Sequence, residues 1–87
     1  KKPMAVGTGS PHLLADRLLS HLGLRHYFDV IVGSDDVDKH KPEPDTFLLC
    51  ANLLNVDPTQ CIVFEDADYG IQAAKAANMH YVDVRVK

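Results

Sequence analysis

Apolar residues fall along the chain in two alternating rhythms, short unbroken runs and longer stretches with helical spacing. Met4-Ala5-Val6 is a short apolar run ending in Gly7-Thr8-Gly9-Ser10, which predicts a strand followed by a glycine-rich turn. Leu14, Leu18 and Leu22 then step by four with Leu19 beside them, and Gly23 stands where a left-handed C-terminal cap belongs, so this stretch predicts a helix. Phe28 and Val30-Ile31-Val32 predict a second strand closed by Gly33, and the polar segment from Ser34 to Pro44 reads as loop. Thr46 to Asn55 carries a wide apolar stripe through Phe47, Leu48, Cys50, Ala51 and Leu54 and predicts a second helix. After the Asp57-Pro58-Thr59 turn, Cys61-Ile62-Val63-Phe64 is the continuous run that a strand covered on both faces requires, cut off by Glu65 and Asp66. Asp68 to Ala77 predicts an alanine-rich helix containing Gly70, with Asn78 to cap its end, and Tyr81-Val82-Asp83-Val84 a fourth strand. The order βαβαβαβ is that of the α/β class, a parallel sheet with helices on its faces.

Composition narrows the setting. The 87 residues allow one small domain, spanning 1–87. With 24% charged and 46% hydrophobic residues, the chain is neither disordered nor fibrous in type. A net charge of −3 gives no electrostatic reason to expect nucleic acid or an anionic membrane as partner. No apolar run approaches the ~18 residues of a membrane span. Cys50 and Cys61 are isolated in apolar segments and form no CxxC; they fit free thiols in a reducing cytoplasm, with a single disulfide as the alternative. No signal-peptide pattern precedes Met4, and Lys1-Lys2-Pro3 running straight into a strand reads as a cut inside a longer, cytoplasmic protein.

Parallel sheets bind ligands beyond the carboxyl ends of their strands, which turns chain order into spatial information. Thr8, Gly9 and Ser10 follow the first strand, Lys41 lies in the loop after the second, and Glu65-Asp66 follow the third. Bare amides with hydroxyls, an ammonium and two carboxylates at one rim suit a phosphate held against a divalent cation. Each element also has a plainer local explanation. Ser10 can be a helix N-cap, Lys41 a solvated lysine ahead of a helix, and the acid pair can face the dipole of the next helix. A dinucleotide fingerprint fails, because its third glycine is replaced by His12. Pro42 and Pro44 stiffen the loop that carries Lys41. His12, His21, His26, His40 and His80 lack ligand spacing and read as surface or packing residues, with His40 near enough to Lys41 to touch a substrate. Asp35, Asp36 and Asp38 read as a solvated loop, Asp68 and Tyr69 as the start of the last helix, and Gly70 as a site of close helix packing.

The succession GTGS, HYFD, KPEPD and VFEDADYGIQAAKAA resembles the haloacid dehalogenase-type hydrolases, in particular the β-phosphoglucomutase-like phosphatases, over nearly the whole chain. The resemblance implies a partial Rossmann-like, three-layer parallel sheet. It also implies Mg²⁺-dependent hydrolysis of a small sugar phosphate, such as fructose 1-phosphate, through an aspartyl-phosphate. Thr8 would hold the phosphoryl group, Gly9 would offer an amide, Ser10 an additional contact, and Lys41 would neutralise charge between nucleophile and phosphate. Glu65 and Asp66 would hold Mg²⁺. The family's first motif, DxDx(T/V), and its helical cap have no counterpart: the nearest spelling, Asp36-Val37-Asp38, follows no suitable strand. The resemblance therefore implies the C-terminal part of a hydrolase core, inactive alone, whose partner is the missing N-terminal half. The absent nucleophile strand would lie between residues 3–8 and 61–65, leaving both edges unpaired and the segment marginally folded or aberrantly paired by itself. Phosphoryl transfer of the β-phosphoglucomutase type, and a non-catalytic phosphate- or nucleotide-binding module, are the alternatives.

Overall fold

The computed structural model describes residues 2–85. Strand β1 (Ala5–Gly7) pairs in parallel with β2 (Val30–Val32), Ala5 opposite Val30 and Gly7 opposite Val32. Strand β3 (Ile62–Glu65) pairs in parallel with β4 (His80–Asp83), Ile62 opposite His80 and Glu65 opposite Asp83. Helices α1 (His12–His21), α2 (Asp45–Leu54) and α3 (Asp68–Ala76) connect them in turn. The element order is the one the periodicity predicts, with boundaries shifted by one or two residues. Helix ends are set by backbone that tolerates positive φ: Gly23 at 75°, Asn55 at 58° and Asn78 at 61°. Ser10 does not cap α1. Pro11 precedes the helix without a side-chain cap, and the Ser10 N–H instead donates to Thr8 Oγ1.

Among the described residues no ladder joins β1 to β3; the strands form two separate two-stranded sheets. The interruption falls where the resemblance leaves a strand out. Helix α2 packs on β1, β2 and α3, while α3 packs on β3 and β4. Phe47, Ala51, Val63, Ala73, Ala74, Ala77 and Met79 form the core beneath them.

Two apolar features of the sequence do not reach that core. Val63 is buried, but its neighbours Ile62 and Phe64 are 59% and 69% exposed, so β3 is covered on one face rather than both. Leu14, Leu18 and Leu22 of the α1 region are each more than half exposed, and the buried residue of that helix is Ala15. The helical rhythm is correct in both length and position. The stripe that revealed it faces away from the packed layer, because α1 meets β2 and the turn at Ser34–Asp36 through its other side.

Candidate active site

The turn after β1 is ordered by a small set of hydrogen bonds. The Thr8 N–H continues the ladder by donating to Val32 O at 2.9 Å, and Thr8 Oγ1 accepts from Ser10 N at 3.1 Å. A hydroxyl that accepts this way keeps its own hydrogen to donate. The Gly9 N–H has no partner among the described residues. A clamp fixes the turn from outside. Ser34 N donates to Ser10 O at 2.8 Å, His12 N to Asp35 Oδ1 at 2.8 Å, and His12 Nδ1 to Asp36 Oδ2 at 2.8 Å. Asp36 also accepts from Gly33 N at 2.8 Å; that amide, with His12 second, holds its carboxyl below the ordinary aspartate value. Gly33 permits the close approach, since a Cβ there would stand 2.8 Å from Ser10 O and collide with the backbone of His12. Asp35 and Asp36 are thus structural ligands of the turn, which corrects the reading of this stretch as a merely solvated loop.

Lys41 crosses the interruption in the sheet. Its Nζ donates to Gly7 O at 3.1 Å, at the carboxyl end of β1, and lies 3.5 Å from Glu65 Oε2, at the carboxyl end of β3. The ammonium also sits 4.8 Å from the centre of the Phe47 ring. With the Lys41 and Glu65 side chains only 13% and 11% exposed, the pair is well sheltered. Glu65 is fixed from the other side, its Oε1 accepting from Asp66 N at 3.0 Å and Ala67 N at 3.3 Å. Its carboxylate lies directly across Gly70, where any Cβ would overlap it. Gly70 therefore makes room for Glu65, a more specific role than general helix packing.

Thr8, Gly9, Lys41, His40, Thr46 and Tyr69 surround a cavity of about 140 Å³ at this rim. A wider hollow of about 350 Å³, near Pro3, Val30 and Leu54, lies at the opposite, amino ends of β1 and β2 and holds none of the candidate residues. The smaller cavity is the one placed where a parallel sheet presents its chemistry. Of the residues singled out from sequence, the structure brings Thr8, Gly9 and Lys41 together and ties in Glu65 through Lys41. Ser10 stays in the clamp, outside the cavity lining. Asp66 is exposed, with no side-chain partner among the described residues. Thr46 and Tyr69 carried no sequence signal for this site: one is buried in the first turn of α2, the other begins α3.

The site's inner groups are donors: a hydroxyl, an unpartnered amide and an ammonium. That set favours an anion with several acceptor oxygens. Among the described residues no three His, Cys, Asp or Glu side chains gather as a metal-binding group. By donor chemistry alone, the carboxylates of Glu65 and Asp66, neighbours in sequence, are of the kind Mg²⁺ takes, with phosphate oxygens and water filling its shell; here both Glu65 oxygens already accept hydrogen bonds.

Residues 1–78 match the family described as haloacid dehalogenase-like hydrolase. The chain is 66% identical over 86 residues to fructose-1-phosphate phosphatase YqaB of Escherichia coli, covering 99% of this chain and 46% of that protein. It is 40% identical over 79 residues to the phosphorylated carbohydrates phosphatase of Thermotoga maritima, covering 91% of this chain and 37% of that protein. The fold superposes on a putative β-phosphoglucomutase from Thermotoga maritima with a TM-score of 0.92 at 38% identity, over 98% of this chain and 40% of that one. The chain thus spans less than half the length of these relatives.

Proposed function

The chain belongs to the haloacid dehalogenase-like hydrolase family, and from that premise we propose that it is the phosphate-gripping half of a phosphatase acting on a small sugar phosphate. The observation that carries this reading is the Lys41 ammonium, which reaches both Gly7 O and Glu65 Oε2 at the edge of a cavity lined by Thr8 and Gly9. The substrate class draws on relatives named for fructose 1-phosphate and for phosphorylated carbohydrates.

In this mechanism the substrate's phosphoryl oxygens enter the cavity and accept from the Thr8 hydroxyl, the Gly9 amide and Lys41. An aspartate from the rest of the protein attacks phosphorus, the bond to the sugar oxygen breaks, and that oxygen leaves with a proton given by a general acid also supplied by the rest of the protein. Water then hydrolyses the aspartyl-phosphate and releases inorganic phosphate. The three donors stabilise charge on the equatorial oxygens throughout, and being held by the clamp and by Glu65 they need little reorganisation. Asp66 and Glu65 would hold Mg²⁺, which supplies further charge neutralisation. The strand bearing the aspartate belongs between β1 and β3, a placement supported by the separation of the two sheets and by the chain's 46% share of its E. coli relative.

The test is turnover of fructose 1-phosphate by the complete protein. Removal of one preorganised donor typically costs ~10²–10³ in rate. Lys41→Ala and Asp66→Ala are each expected to lower kcat/KM by at least about 10². Wild-type kinetics in both variants overturn the assignment. The likeness to a putative β-phosphoglucomutase favours a second reading, transfer of the phosphoryl group back to sugar. Incubation with β-glucose 1-phosphate separates the two, since a phosphatase yields inorganic phosphate and a mutase yields glucose 6-phosphate.

A further inference from the structure

The cavity's inner wall is built for the phosphoryl head. It accommodates the phosphoryl head, already matched by Thr8, Gly9 and Lys41, and leaves the carbon skeleton to emerge at the rim. Two exposed side chains of the lining stand there. Tyr69, at the start of α3, is 57% exposed and lines the cavity, with no aromatic or cation–π partner for its ring among the described residues. His40 is exposed and precedes Lys41 directly.

The imidazole of His40 is oriented. Its Nε2 lies 2.8 Å from Ser34 O, and a carbonyl oxygen only accepts, so Nε2 carries the hydrogen. In the neutral ring Nδ1 then holds a lone pair, and it has no partner among the described residues. Ser34 also donates to Ser10 O, so the clamp that steadies the phosphate turn fixes His40 as well. We infer that His40 and Tyr69 form the mouth that selects a phosphorylated polyhydroxy compound, His40 Nδ1 accepting from a hydroxyl near the ester and the Tyr69 ring covering the carbon skeleton. This inference rests on the phosphatase reading of the same cavity. An alkyl or acyl phosphate without hydroxyls satisfies the inner donors equally well and gains nothing at the mouth.

The experiment measures kcat/KM for fructose 1-phosphate and for acetyl phosphate on the same preparation of the complete protein, so that any misfolded fraction cancels in their ratio. His40→Ala and Tyr69→Ala are each expected to lower the ratio about five- to tenfold, mainly through KM for the sugar ester, the range one modest contact supplies. Tyr69→Phe, which keeps the ring, is expected to stay within about twofold of wild type. Unchanged ratios in both alanine variants, with the wild type active, overturn this inference alone. A wild type that hydrolyses neither ester overturns the phosphatase reading and this inference with it.

Discussion

Replacing Gly70 by alanine sets two principles against each other. Gly70 lies in the first turn of α3. Helix propensity alone makes Gly→Ala stabilising by about 1 kcal/mol. The tertiary packing has the opposite sign, because the new Cβ would occupy the space of the Glu65 carboxylate. Glu65 would have to leave, and with it would go the bonds from Asp66 N at 3.0 Å and Ala67 N at 3.3 Å, and the contact with Lys41 at 3.5 Å. Hydrogen bonds to a charged group are worth about 1.5–3 kcal/mol each. Taking the low end, because these bonds are long or local, the two amide bonds together outweigh the propensity gain by about 2 kcal/mol. Urea unfolding reads this as a lower midpoint at unchanged slope. A double-mutant cycle sharpens the test: once Glu65→Ala has emptied the space, Gly70→Ala should become stabilising by about 1 kcal/mol. The reasoning is refuted if Gly70→Ala stabilises in both backgrounds.

Two further predictions concern other groups. The Asp36 carboxyl is held below its ordinary value, so its contribution is present at neutral pH and is lost as pH falls below roughly 4 through the folded-state value. Asp36→Asn should cost about 1 kcal/mol or less, given a side chain 35% exposed, and the gap from wild type should close in acid; a gap independent of pH contradicts the clamp. Burial pushes the Cys50 thiol up to about 11, while Cys61, also raised by desolvation, is only partly buried. Iodoacetamide at pH 8 should therefore modify Cys61 first and leave Cys50 until the protein unfolds, and mass spectrometry showing the reverse order contradicts the burial.

What the sequence by itself determined is the part of the structure that near neighbours encode. A four-residue leucine step, an apolar run closed by acids, and Gly or Asn at helix ends each act within a few residues, and they sufficed for the order of strands and helices. Chain order together with the carboxyl-edge rule also placed Thr8, Gly9, Lys41 and Glu65 in one neighbourhood, and family likeness supplied the roles proposed for them. The tertiary structure decided whatever depends on distant parts of the chain. Lys41 meets partners 34 and 24 residues away, and the clamp joins His12 to residues 23 and 24 positions on. No local pattern marks Asp36 as a ligand of that clamp, Ser10 as outside the cavity, or Tyr69 as part of its lining. Nor does periodicity choose a direction: the leucines of α1 announce a helix, yet Ala15 is the residue it buries, because periodicity reports that one face is apolar and only packing decides which face is covered.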